Sequence, residues 1–478
     1  MKKITFISFL LLVLVYEGFA QESFSYGIGS ELYDYGSSIF ESEEYYYIVN
    51  LKNSEDRSHG ASVIRFSNGN DLIEHEIVKK DTLCRLDYGA TTDNGNIILV
   101  GRVDVENMHY LYTCIMSEDL VILTEKYFDI LPEGYDWFYL FDMSKDENGD
   151  IVIVGHMDDH LPTSLYGMMI FRVDQEGNLL DFDYYVSPQW YDSTGESDLL
   201  RKADASGYYY FKAQSMNILE FNNALDLVDS SNWLGSYPYS LSKPVTAIYL
   251  ADGNFGFLDR TSYPNYFYDM RLMIFTPEFE HVMDTVIEKE GRQCPAILKG
   301  MDYTDPNQIW VLMHNDMPTY TGVEDYEIFL LDSQLNIIES RVFGGDSDYR
   351  FNYLLATNDG GCLVTGSIRQ EYGTNLTDIF ILKVMPEDIL TGMAEVSLPY
   401  SKDVLVYPSP FNEKIFTKTD NEGLVFSLYN LKGERLLQSP IRATNTGSIN
   451  TSGILPGVYI YCIYNEQGTT VQSGKLIK

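Results

Sequence analysis

A short phrase recurs along the chain at intervals of roughly fifty residues, and no other feature limits the possible folds so sharply. Asp93-Asn94-Gly95 leads into Ile97-Ile98-Leu99-Val100-Gly101, and Glu147-Asn148-Gly149 leads into Ile151-Val152-Ile153-Val154-Gly155. Ser206-Gly207 runs into 208–211, Asp252-Gly253 into 255–258, Asp305-Pro306-Asn307 into 309–312, and Asp359-Gly360 into 362–365. Glu43-Glu44 before 45–49 is a degenerate first copy, which makes seven. Gly, Asn and Asp are the residues that tight turns demand, and the apolar runs read as strands. A strand precedes each turn, as at 353–356; a second strand, turn and third strand follow, as at 169–173, 175–178 and 179–180. Four short strands of this kind form an antiparallel meander with two faces to bury. One copy cannot do that alone, so the copies must stack on each other. The expected fold is all-β: a seven-bladed β-propeller over residues 21–390.

The two ends of this region agree with a ring. Glu339-Ser340-Arg341-Val342-Phe343-Gly344-Gly345 lies upstream of the last copy, and Glu22-Ser23-Phe24-Ser25-Tyr26-Gly27-Ile28 stands at the same distance before the first. The N-terminal segment therefore reads as an outer strand cut from the final blade. Pairing it there closes the last blade and removes an exposed edge. A β-helix or an open sandwich would need no such permuted match.

The flanks have other roles. Lys2 and Lys3, an apolar run at 4–15, and small residues at Gly18 and Ala20 give residues 1–20 the pattern of a signal peptide. The run is shorter than the roughly 20 residues a bilayer span needs. No cysteine lies near the cleavage point, against a lipid anchor, and no later stretch reads as a membrane span. Residues 391–402 carry neither repeat nor periodicity and read as a linker. Charge then changes sign: 21–400 holds 23 basic and 63 acidic residues, net −40, whereas 401–478 holds eight and six, net +2. So acidic a surface excludes a nucleic acid as partner. Two such different surfaces point to two roles.

Residues 403–478 read as a small immunoglobulin-like β-sandwich. Val404-Leu405-Val406-Tyr407 precedes the rigid turn Pro408-Ser409-Pro410-Phe411-Asn412. Strands at 425–429 and 435–437 flank the hairpin signal Asn430-Leu431-Lys432-Gly433. Leu455-Pro456-Gly457 introduces a strand at 458–464, and a last strand carries Lys475 and Lys478. In this order, Tyr407-Pro408-Ser409-Pro410-Phe411, Asn430 to Gly433, Leu455-Pro456-Gly457-Val458-Tyr459 and Lys475-Leu476-Ile477-Lys478 resemble the motifs of the C-terminal sorting domain (type A) of type IX secretion substrates. Serine replaces the usual asparagine of the first motif, and asparagine replaces the aspartate of the second. The resemblance implies passage through the periplasm of a Gram-negative bacterium. It also implies an outer-membrane translocon as partner and delivery to the cell surface or the medium, commonly with removal of the domain.

Signatures of chemistry are scarce. There is no HExxH, GxSxG, phosphate-cradling glycine loop or CxxC pair. His156-Met157-Asp158-Asp159-His160 is the one cluster of histidines with acids, and it reads as a solvated loop rather than a metal site. Asp146-Glu147-Asn148-Gly149-Asp150 lacks the distal glutamate of a calcium loop and sits where the other copies turn. No cofactor is expected, calcium being the one ion the acidity could favour. Cys84, Cys114, Cys294, Cys362 and Cys462 are scattered and odd in number, so buried inert thiols are expected, above all Cys114 and Cys362. Trp137, Trp190 and Trp233 fall in or near predicted loops and are candidate ligand-binding residues, whereas Trp310 reads as core. The expected function is an exported, non-enzymatic propeller that binds a glycan or a protein. The alternatives are a secreted polysaccharide hydrolase or lyase with its site at the propeller mouth, and a structural surface adhesin.

Overall fold

The computed structural model describes residues 24–28, 34–53, 59–67, 73–77, 83–106, 108–158, 167–186, 198–212, 217–232, 246–260, 269–287, 289, 293–296, 298–315, 324–369, 377–390, 405–407, 414–418, 423–430, 435–441, 447–455, 457–465 and 470–478. They fall into two compact units, 1–390 and 391–478.

The first unit is built from antiparallel four-stranded meanders. Strands Asp34–Glu41, Tyr46–Asn53, His59–Phe66 and Ile73–Ile77 form the first sheet in chain order. The second to fifth sheets repeat that order, their first strands being Leu83–Thr91, Trp137–Lys145, Asp198–Arg201 and Thr246–Tyr249. In the sixth, Cys294–Pro295 and Met301–Asp305 pair with Gln308–Asn315, which pairs with Glu324–Leu331. The long strand Ile337–Ala356 is outermost in the sixth sheet with its first half and innermost in the seventh with its second. Cys362–Arg369 and Thr377–Val384 continue the seventh sheet, and Phe24–Ile28 completes it, Phe24 opposite Lys383 and Ile28 opposite Ile379. The spacing of Gly27 and Gly344 anticipates this pairing. Among the described residues no sheet closes on itself.

What holds the sheets together follows from the period of two along a strand. In Ile151–Asp158, Ile151 and Ile153 point to the second sheet and Val152 and Val154 to the fourth, and all four are buried. Each sheet is thus apolar on both faces, as the repeat requires. Apolar clusters join the sheets in succession. Leu86 and Leu99 meet Val49 and Val63, Tyr210 meets Val154, Phe257 meets Phe211, and Met301 meets Leu258. Trp310, in the core as expected, lies with Phe351 between the sixth and seventh sheets. A last cluster, with Ile39, Ile48, Leu363 and Ile381, packs the seventh sheet on the first.

The first strands are where regularity breaks. Register shifts fall at the same place in four of the repeats, between Gly36 and Ser38, Leu86 and Tyr88, Leu140 and Asp142, and Phe351 and Tyr353. In the last three of these the strand opposite supplies a glycine, Gly101, Gly155 or Gly366. A Cβ on Gly101 would stand 2.0 Å from the Arg85 carbonyl oxygen, and one on Gly366 1.9 Å from that of Arg350. The glycine ending these three apolar runs is therefore the residue that admits a bulged neighbour.

The second unit consists of two sheets. Leu405–Tyr407, Lys414–Lys418 and Gly447–Asn450 form one. The other has the order Arg435–Ile441, Leu424–Asn430, Val458–Tyr464, Thr470–Ile477. Ile415 and Ile449 of the smaller sheet share a buried cluster with Phe426, Leu428, Tyr461, Ile463 and Leu476 of the larger.

Candidate functional site

The two ends of the meanders differ in construction. At one end, first strands turn into second strands and third into fourth through tight turns, many closed by an aspartate. Asp146 Oδ1 accepts the N–H groups of Asn148 (2.8 Å) and Asp150 (3.0 Å), and Asp332 Oδ1 those of Gln334 and Asn336 (both 2.9 Å). At the other end, first strands begin and second strands connect to third through longer segments that lie mostly outside the described residues.

Buried charge gathers at this loop end. Asp34 opens the first sheet with no exposed surface; Arg102 and Lys212 close second strands while buried. Asp259 and Arg271, 0% and 1% exposed, pair at 2.7 Å beside the connection of the fifth sheet. Glu327 and Asp348 are buried in the sixth and seventh, and Asp348 Oδ2 is 3.0 Å from Arg369 Nη1. His314 is buried with Nε2 3.2 Å from both N and O of Phe351, and burial holds its pKa down at about 4. At the turn end the buried charges among the described residues are Arg65 and Lys383. Burying ions costs several kcal/mol apiece unless paired, and most of these sit at one end.

Trp137 belongs to this end. It is the first residue of a strand and is half-buried. The Arg102 guanidinium stacks 3.7 Å from its ring centre, and His109 meets its edge at 4.2 Å. Asp104 holds both side chains, Arg102 Nε at 3.0 Å and His109 Nδ1 at 2.6 Å. Arg102 Nη1 also donates to the Phe138 carbonyl at 2.7 Å. Trp190 and Trp233 lie outside the described residues. His156 is buried within Ile151–Asp158, a strand rather than the loop its neighbours suggested; Asp159 and His160 lie outside the described residues. Among the described residues no three metal-ligating side chains come together, and no cysteines are bonded to each other.

Along the inner margin, side chains of the bulged first strands tie each sheet to the next. Ser37 Oγ donates to the Leu86 carbonyl (3.3 Å) and the Tyr88 hydroxyl to that of Phe141. Asp142 Oδ2 accepts the Leu199 N–H (2.6 Å), Asp198 Oδ2 that of Ala247 (2.5 Å), and Thr246 Oγ1 that of Gly300 (3.0 Å). Asp302 Oδ2 accepts the Ala356 N–H (3.0 Å), and Asn352 Nδ2 donates to the Gly36 carbonyl (2.7 Å), which returns to the first sheet. Asp142 and Asp198 are also hydrogen-bonded to each other, and burial, then mutual repulsion, holds Asp142 well above the usual carboxylate range. Both are partly exposed. Sequence reasoning did not find these acids.

In the second unit, several motif residues meet at one edge of the larger sheet. Tyr459 is buried opposite Asn430, and its hydroxyl donates to the carbonyl of Leu455, whose side chain is exposed. Gly457 and Lys478 exchange backbone hydrogen bonds (3.0 and 2.9 Å), and Lys478 Nζ reaches the Thr451 carbonyl at 2.5 Å. Lys475 pairs with Ile460, and Tyr407 with Phe416 in the smaller sheet. Pro408, Pro410, Phe411 and Gly433 lie outside the described residues.

Residues 405–478 match the secretion system C-terminal sorting domain. The sorting domain makes this chain a protein exported to the cell surface or the medium of a Gram-negative bacterium. No curated protein matches the sequence. Solved structures resembling the chain include a puromycin-hydrolyzing peptidase of Mycobacterium tuberculosis (TM-score 0.45, 10% identity, covering 80% of this chain), of which this chain spans 58%. Another is a subtype N10 neuraminidase-like protein of A/little yellow-shouldered bat/Guatemala/060/2010 (0.35, 6%, 75% and 97% of the two chains). PorZ of Porphyromonas gingivalis, a surface component of the type-IX secretion system, aligns over 95% and 99% with a TM-score of 0.21 and 7% identity. All three lie below the level at which a shared fold follows. Among the described residues no helix is long and apolar enough to cross a membrane.

Proposed function

We propose that the chain is a cargo of type IX secretion whose first unit is a closed seven-bladed β-propeller that binds a glycan or a protein at its loop end. Residues 1–20 serve the inner-membrane step, and the sorting domain, an immunoglobulin-like sandwich, serves the outer-membrane step. Closure of the ring is supported by side-chain links that pass from each sheet to the next and return to the first. Binding is supported by one observation above others: the buried ions crowd at the end where the longer connections emerge. Ligand sites in such folds sit where loops meet a rigid scaffold.

The hydrolase reading is weaker. Among the described residues, the inner-margin carboxylates Asp142 and Asp198 stand close enough to repel each other. Glycoside cleavage needs about 5 Å between carboxyl groups for retention and more for inversion. Both acids are also committed to backbone N–H groups of the next sheet.

Two experiments test the proposal. Cells expressing a chain lacking 403–478 should hold a folded propeller in the periplasm; normal surface delivery would overturn the export role. The purified full chain, applied to arrays of bacterial glycans and surface proteins with product analysis, should retain a ligand without turnover. Bond cleavage would favour the hydrolase, and self-association without ligand the adhesin.

A further inference from the structure

The larger sheet of the second unit buries one face and leaves the other open. Phe426, Leu428, Tyr461 and Ile463 point to the smaller sheet. By the period of two, Val425, Ser427, Tyr429, Cys462 and Tyr464 point away from it. Gln438 and Pro440 of the neighbouring strand lie opposite Ser427 and Val425, on the same face. Here a cleft of about 750 Å³ opens, with Val425, Tyr429, Arg435, Gln438, Pro440 and Tyr464 in its lining. That is the size of a small-molecule site. The hydroxyls of Tyr429 and Tyr464 bond to each other at 3.0 Å. One donates to the other, which leaves one O–H and several lone pairs for a ligand. Ser427 stands between Val425, opposite Tyr464, and Tyr429. It is wholly buried, and its hydroxyl has no hydrogen-bond partner among the described residues. Buried hydroxyls are almost always partnered, so this face holds polar capacity that the fold does not use. Arg435 is exposed, and among the described residues no acid lines the cleft.

We infer that this cleft binds an acidic saccharide, a sugar unit that bears a carboxylate. The site belongs wholly to the second unit and is independent of the binding proposed for the loop end. The Arg435 guanidinium supplies a fork of N–H donors that matches a carboxylate. The hydroxyls of Tyr429 and Tyr464 and the amide of Gln438 both donate and accept, as the ring hydroxyls of a sugar require. The tyrosine rings and Val425 offer apolar surface to the C–H faces of that ring. An extended peptide fits less well. It would bind by adding a strand to Arg435–Ile441, the edge of the sheet, where Pro440 has no N–H to donate. Charge also selects the ligand. Residues 401–478 carry net +2, whereas 21–400 carry net −40 and repel anions. An anion that binds this chain is therefore held at a fitted site and not by general attraction.

The test is calorimetric titration of the full chain, at physiological salt, with short galacturonate oligomers beside their methyl esters, which keep every ring hydroxyl and lose the charge. The acid should bind, and esterification should weaken it by roughly tenfold or more. Arg435→Gln should weaken the acid by a similar factor and erase the difference between acid and ester. Arg435 is exposed, so this variant should melt with the wild type. Tyr429→Phe removes one hydroxyl of the pair and should weaken acid and ester alike. Equal binding of acid and ester would overturn the inference, as would acid binding that Arg435→Gln leaves unchanged. Absence of binding by both probes would overturn it as well. Glutamate oligomers that bind as tightly as the galacturonates, and lose affinity in Arg435→Gln, would make the ligand a polypeptide and overturn the saccharide assignment.

Discussion

Glu41 joins the first sheet to the seventh and should give that seam a pH dependence. Its Oε1 accepts the Asn358 N–H at 3.0 Å, and burial raises its pKa from 4.5 to about 7, with that bond and Lys383 opposing. The folded chain thus keeps a proton that the unfolded chain releases above about 4.5, and the stabilisation is lost as pH rises toward 7. Differential scanning calorimetry of wild type and Glu41→Gln should show the wild-type melting temperature falling relative to the variant between pH 5 and pH 8. His314 has the opposite sign. Held at about 4 when folded, it disfavours the folded state as pH drops below 6.5, and His314→Gln should flatten the acid limb of the same profile. Asp259→Ala leaves the Arg271 guanidinium buried without its 2.7 Å partner, and a loss of about 3–5 kcal/mol in denaturant unfolding is expected. None of these residues stood out in the sequence, nor did Asp142, Asp198 or Asp302. One acid among 70 looks like another until the fold shows which of them water has left. Their strands give no help, because Asp198–Arg201 is four residues long and the bulges break the alternation that marks a half-buried strand.

At the scale of strands and turns much more was legible, because turn chemistry is local. The Asn-Gly and Asp-Gly dipeptides mark positions where φ is positive, 81° at Gly95 and 78° at Gly149, and the following apolar runs became buried second strands. The outer strands were harder to read. Ile122–Phe128 and Leu179–Val186 are mostly exposed, so their composition carries little hydrophobic signal. The glycine ending several apolar runs was visible, but its purpose was not: it faces a bulge that only the paired strand reveals. Gly366→Ala would drive a methyl group against the Arg350 carbonyl, and a destabilisation of about 1–3 kcal/mol in chemical unfolding is expected. The same change at Gly453, where a Cβ meets nothing within 4 Å, should cost far less.

For the whole molecule, the two units answer to different constraints. The tail was legible from ordered short motifs, since Gly457, Tyr459 and Lys478 occupy positions that backbone pairing dictates. The buried charges of the first unit were not legible, because they are brought together from strands some fifty residues apart. Removing 22–30 should leave Thr377–Val384 as an open edge, and gel filtration of that variant should reveal self-association. The register of Phe24 on Lys383 also orders events in time. The earliest strand to emerge from a ribosome or a pore waits for almost the entire unit to follow before it can find its mate. A chain cut short before Thr377–Val384 therefore leaves Phe24–Ile28 with no strand to pair with.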